Sequence, residues 1–222
     1  MELFNSLIDG MTWLLNWLYM VTVNIGIPNY GIAIILLTII VKMALYPLSF
    51  KQMRSMVAMQ KLQPKIKEIQ DKWKNKDQKK MQQLIMDLYK ENNVNPMAGC
   101  LPLLVQMPIL IALYRSLYRF PYINTDHASF IWVQNLSDKD PLFILPVLAG
   151  VTTYLQSKMT TSMTDPTQRT MLYMMPVFIA WISSTVPAGL ALYWVIFNVV
   201  GGLQQYFINK QTIGIKEGAS GK

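Results

Sequence analysis

The sequence predicts an all-α integral membrane protein. It has five transmembrane helices, an N-terminal interfacial helix and a cytoplasmic helical hairpin between the first two spans. Three observations predict it. Of 222 residues, 52% are hydrophobic and only 14% are charged. Several separate apolar runs approach the ~20 residues that an α-helix needs to cross a bilayer. The Lys and Arg residues are unevenly placed, and eleven of the twenty lie between Lys51 and Lys90, beside a span. The net charge of +8 therefore reads as the positive-inside bias of a membrane protein, with no role for DNA.

Residues 1–27 carry Leu3, Leu7, Ile8, Met11, Leu14, Leu15 and Leu18 on one helical face, with Trp13, Trp17 and Tyr19 as interfacial aromatics. That pattern suits an extracytoplasmic amphipathic helix lying in the membrane interface. An additional span over Met11–Val23 is the competing reading. No base precedes Lys42, so the segment lacks the positive n-region of a secretory signal.

The first span covers 28–50, and its core reads NYGIAIILLTIIVKMALYP over 29–47. Residues 51–96 form the hairpin, with one apolar stripe of Leu62, Ile66, Ile69 and Trp73 and another of Met81, Leu84, Ile85 and Leu88. Asn75-Lys76-Asp77 is the expected turn. Pro64 is expected to begin or kink a helix. The basic outer face of the hairpin is open to solvent, anionic lipid or ribosomal RNA.

The region 97–209 holds the other four spans, at about 97–118, 142–158, 170–186 and 189–209, interrupted by Pro102, Pro108, Pro146 and Pro176. A short cytoplasmic tail, 210–222, follows. Segments 51–96, 158–169 and 210–222 hold eleven, two and three Lys/Arg, whereas the opposite side holds only Arg115, Arg119 and Lys139. Sixteen against three puts the N-terminus outside and the C-terminus in the cytoplasm.

Lys42 is the residue that asks for a function. At ~1.5 Å per residue it lies roughly 20 Å from Asn29, well inside a hydrocarbon core ~30 Å thick. Intramembrane charges are costly and face cavities or partners. Thr38, Lys42, Tyr46 and Ser49 follow one another at helical spacing as a polar stripe. Two readings stand: a lysine snorkelling to the cytoplasmic surface, or one facing a hydrated cavity. Gln106, Thr152, Thr153, Gln156, Ser183, Ser184, Asn198, Gln204 and Gln205 add further polar groups to the spans. Each alone is ordinary interhelical hydrogen bonding; together with Lys42 they favour the cavity.

Enzyme chemistry finds no support. Every Asp and Glu lies outside the five spans, one His makes a His-based metal site improbable, and one Cys precludes an intramolecular disulfide. The EGASGK run at 217–222 resembles the end of a phosphate-binding loop, but Lys216 stands where its first glycine belongs. Met97-Ala98-Gly99-Cys100 resembles a lipoprotein box without its signal, so Cys100 reads as a small residue of a span. No cofactor is expected. A solute transporter or channel is the rival class, although carriers favour intramembrane carboxylates and internal repeats, which this sequence does not display.

The runs NYGIAIILLTIIVK with PL (29–48), NPMAGCLPLLVQMPILIALY (95–114), DPLFILPVLAG (140–150), TDPTQRTMLYMMP (164–176) and VPAGLALYWVIFNVVGGLQQ (186–205) resemble the bacterial YidC-type membrane protein insertases of the Oxa/Alb/YidC superfamily. The resemblance spans nearly the whole chain and suggests the compact form, without the large periplasmic domain or an N-terminal lipoprotein signal.

It implies a chaperone and insertase for nascent membrane proteins, multi-pass in the bacterial cytoplasmic membrane, with a hydrophilic groove open to cytoplasm and lipid. It further implies the translating ribosome, bound weakly through cytoplasmic loops, the Sec translocon and anionic lipids as partners. The groove residues it implies are Lys42, Thr38, Gln156 and Trp194, and the polar residues of the spans add Gln106 and Asn198 to the expected groove; Trp194 suits packing equally well. The family usually carries arginine where this chain has Lys42, and lysine lacks the bidentate fork of arginine.

Overall fold

A computed structural model describes residues 2–73, 76–95, 101–118, 120–160 and 166–219. Asn75 of the expected hairpin turn, and Met97 to Cys100 at the start of the expected second span, lie outside the described residues. The described chain forms eight α-helices and, apart from an isolated bridge between Phe130 and Val133, no β-structure.

Helix α1 (Glu2–Asn24) ends where Gly26, at φ +80°, turns the chain so that the Ile27 amide donates to the Thr22 carbonyl at 3.0 Å. Its buried stripe is Met11, Leu15, Leu18, Tyr19 and Thr22. Three successive turns of α1 engage one end of the bundle. Thr12 bonds Ser116 at 2.7 Å, the Tyr30 hydroxyl donates to Asn16 at 3.0 Å, and Tyr19 bonds His127 at 2.7 Å. Tyr19 also stacks on Tyr30, with ring centroids 4.0 Å apart.

Asn29 caps α2 (Tyr30–Ala44), its side-chain oxygen accepting from Gly31 N at 2.8 Å and Ile32 N at 3.2 Å. The expected 28–50 span is not one straight helix. It breaks at Leu45, and α3 (Tyr46–Trp73) leaves at 66° to α2. Pro47 is the reason: it has no N–H for the next helical bond and disfavours helical backbone at Tyr46. The chain restarts there, with proline in the first turn of the new helix. By contrast, α3 runs through Pro64 without a break, against expectation.

Asp77 caps α4 (Gln78–Glu91) by accepting from Lys80 N at 3.0 Å. The α3–α4 seam gathers Leu62, Ile66 and Tyr89 with Met59, Ile85, Leu88 and Val94. Trp73, expected in that stripe, instead lies under the Lys80 ammonium, 4.2 Å from its ring centroid.

Helix α5 (Leu101–Tyr118) contains Pro108, and α7 (Pro166–Ser183) contains Pro176. Pro146 falls in the first turn of α6 (Ile144–Thr160), where a proline costs no intrahelical bond. Helix α8 (Ala188–Ala219) starts beneath the 120–141 loop, whose Asp138 and Leu136 carbonyls accept from Ala188 N (2.7 Å) and Gly189 N (2.9 Å). It continues as helix to Ala219, through most of the segment expected as a short tail.

One apolar core joins α1, α2, α5, α8 and the loop around Tyr30, Leu37, Leu113, Leu117, Leu136 and Tyr193. A smaller one joins α6, α7 and α8 through Ala149, Ile179 and Val195. The outside is apolar too, with Met174, Val177 and Trp181 of α7, Val147 and Leu155 of α6 and Leu203 and Phe207 of α8 all more than half exposed. Such a surface suits lipid rather than water. Among the described residues, one helix is alone long and apolar enough to cross a membrane, over Ala188–Lys210, and α2 with α3 qualifies only as a bent pair.

Gly31 lets the loop close on α2, since a Cβ there would run into the Phe130 ring. Gly31→Ala is expected to lower stability by about 1–3 kcal/mol, the usual cost of overpacking. Thermal unfolding of the detergent-solubilised protein checks this, and Phe130→Ala in the same chain is expected to recover part of the loss.

Candidate functional site

Lys42 lies in the last turn of α2, a helix that packs along α8. It is 4% exposed. Its Nζ sits 3.4 Å from the centroid of the Phe197 ring on α8, a cation–π contact. Among the described residues no carboxylate is paired with it. Among those residues the ammonium therefore stands uncompensated by negative charge.

Next to it lies a hydrogen-bonded network between α6 and α8. Trp194 Nε1 donates to Thr153 Oγ1 at 3.1 Å, and the Asn198 amide lies 2.8 Å from the same hydroxyl. The amide satisfies its neighbours when its oxygen accepts from Thr153 and its NH2 donates to Gln156 Oε1 at 2.6 Å. That orientation leaves the Gln156 NH2 facing Gly201 and Lys42. A Cβ at Gly201 would meet Gln156 Nε2 at 2.5 Å and Lys42 Nζ at 2.8 Å, so glycine is what leaves room for both. Two N–H groups, one of them charged, thus converge over one glycine. A buried ammonium in this position binds an oxygen acceptor, a carboxylate or a carbonyl.

The six residues expected from the sequence are distributed around this point. Lys42, Gln156, Asn198 and Trp194 meet directly or through Thr153. Thr38, one turn before Lys42, is fully buried and donates its hydroxyl to the Ile34 carbonyl at 2.7 Å, so its proton is committed to its own helix. Gln106 is one step removed. Its amide donates to the Tyr193 hydroxyl at 2.9 Å, and Tyr193 stacks at 5.7 Å on the Phe197 ring that carries Lys42. The Thr38–Lys42–Tyr46–Ser49 stripe does not persist, because the break at Leu45 carries Tyr46 and Ser49 onto α3. Tyr46 packs there on Phe50 and is 40% exposed.

The 60Kd inner membrane protein family model matches residues 20–216, most of the chain. The chain belongs to this family of membrane proteins. It is 48% identical over 183 residues to the "Membrane protein insertase YidC" of Geotalea daltonii, a match covering 82% of this chain and 34% of that protein. It is 44% identical over 207 residues to the "Membrane protein insertase YidC 2" of Listeria innocua, covering 90% of this chain and 69% of that protein. A crystal structure described as an active YidC insertase with the first transmembrane domain resolved superposes with a TM-score of 0.73 at 32% identity. That match covers 92% of this chain and 46% of the other. The chain thus spans about a third of the length of the Geotalea relative.

Within this YidC-type fold, Phe197 and Gly201 are site residues that sequence reasoning missed. Their signal was available: Tyr193, Phe197 and Gly201 follow at intervals of four on α8, the spacing that keeps residues on one helical face.

Proposed function

We propose that this chain inserts and folds nascent membrane proteins, using the buried Lys42 ammonium, beside Gln156, as a brief resting place for a polar or acidic segment in transit. The observation that carries the reading is the uncompensated ammonium, buried beside an amide network in a bundle whose exterior is apolar. An oxygen acceptor arriving there offsets part of the desolvation that makes translocation of a charged segment unfavourable. The apolar part of the substrate then passes into lipid along the exposed faces of α6 and α8. No covalent catalysis or nucleotide takes part.

The accompanying topology has five spans in the bacterial cytoplasmic membrane, with the N-terminus outside and the C-terminus inside. The Lys/Arg distribution supports it. In that frame α1 lies in the outer interface, supported by its three-turn contact with a single end of the bundle. The hairpin of α3 and α4 stands in the cytoplasm, its basic face available to anionic lipid and to the translating ribosome. The chaperone role and cooperation with the Sec translocon follow the family resemblance.

The test is accessibility under load. In a Cys100→Ser background, Gln156→Cys is expected to react with a membrane-impermeant maleimide from the cytoplasmic side only. A ribosome-stalled nascent membrane segment is expected to protect it. Labelling from both sides indicates a pore and favours a channel. Labelling that ignores the nascent chain removes the site from the substrate path.

A further inference from the structure

One turn beyond Gly201, α8 carries a second polar patch, formed by residues other than Lys42 and Gln156. Gln204 and Gln205 are buried, at 9% and 1% exposure. Among the described residues, neither amide atom of Gln204 has a hydrogen-bond partner, nor does the Gln205 oxygen, nor the nitrogen of the buried Gln52 on α3. The Gln205 nitrogen donates to Asn209 Oδ1 at 2.7 Å. Helix α3 packs against both α6 and α8. Its Gln60 amide donates to the main-chain carbonyl of Met159 at 3.3 Å, and the Met159 sulfur lies beside Gly202.

Buried polar groups in folded proteins are almost always paired, and each exception asks for an explanation. Three orphaned amide atoms on two adjacent residues of α8 are a concentrated exception. A glutamine side chain offers one carbonyl and one NH2, matching the pairing groups of a peptide unit. Several of them along a seam bind an extended chain through its main chain, as a sheet edge does, without reading its side chains. Gln60 on the Met159 carbonyl is an example of this pairing within the protein itself.

We propose that Gln204 and Gln205 form a binding site for the main-chain amides of an extended polypeptide, on the cytoplasmic side of Lys42. The site rests on the insertase reading and adds to it a sequence-independent hold on the substrate, whereas Lys42 selects for acceptor charge. It takes peptide groups of any sequence, and entry requires α3 to move aside from α8.

The test uses the full chain in vesicles and an apolar synthetic peptide carrying one photo-reactive residue, alongside a twin with alternate backbone amides N-methylated. The unmethylated peptide is expected to crosslink about tenfold more than its twin, the loss associated with one or two hydrogen bonds of ordinary net strength. Gln204→Met with Gln205→Met keeps side-chain volume and removes the orphaned atoms. It is expected to raise the melting temperature, lower crosslinking to the level of the twin and abolish discrimination between the peptides. Raised stability with unchanged crosslinking overturns the proposal, since the glutamines are then only unfavourable packing. Equal crosslinking of both peptides to the unmutated protein overturns it without reliance on any variant. If neither peptide crosslinks anywhere in the unmutated protein, the insertase reading falls as well. If crosslinking discriminates but Lys42→Ala leaves acidic substrates unaffected, the glutamine site stands and the electrostatic role of Lys42 is lost.

Discussion

Lys42→Ala is expected to reduce insertion of a substrate with an acidic translocated tail by about tenfold or more, with little effect on a purely apolar hairpin. An ion pair at ~4 Å is worth roughly 4 kcal/mol at an effective dielectric of about 20, and tenfold requires only about 1.4 kcal/mol. Lys42→Glu is expected to fall below alanine for the acidic substrate, because a like charge then opposes entry. Lys42→Arg is expected to retain activity, since the charge stays and a planar guanidinium stacks well on Phe197. Stability runs the other way. Removing an uncompensated buried cation is expected to leave the melting temperature of Lys42→Ala unchanged or higher. The measurement is insertion of a substrate pair differing only in tail acidity, into vesicles carrying each variant. Equal insertion of both substrates by the alanine and glutamate variants would reduce Lys42 to a snorkelling lysine.

Much of this site was legible because the bilayer makes polar residues conspicuous. Lys42, Gln156 and Asn198 stand out in apolar runs, and hydropathy alone finds them. What hydropathy hides is apolar or side-chain-free. Phe197 and Gly201 are ordinary members of such a run, yet one faces the cation and the other makes room for it. The break at Leu45 was also within reach, since Pro47 announces it. A span drawn by hydropathy extends across such a proline because composition does not register a bend. Reading helical spacing through the bend placed Tyr46 and Ser49 on a stripe that the fold divides. Pro64 shows the converse: packing of Leu62 and Ile66 on α4 holds α3 together where local propensity predicts interruption.

Asp140 was legible only as part of a loop, and its replacement is expected to give the largest loss of stability. The carboxylate is 4% exposed and accepts from Trp132 Nε1 at 2.9 Å, Leu142 N at 3.1 Å and Leu145 N at 2.7 Å. It thereby closes the turn in which Phe143 is held at φ +56°, and it occupies the start of α6, where a helix favours negative charge. Asp140→Ala leaves three donors without their acceptor. At about 1.5–3 kcal/mol for a hydrogen bond to a charged group, and with water able to reach only part of the site, the loss is expected to be about 3–5 kcal/mol. Asp140→Asn keeps one acceptor oxygen and is expected to lose about half as much. Both are read by thermal unfolding of the solubilised protein. Gln156 lies three turns further along α6, so the surviving folded fraction is expected to insert substrates at near-normal rates. An alanine variant as stable as its parent would mean that solvent replaces all three bonds and that the buried carboxylate contributes nothing to holding α6.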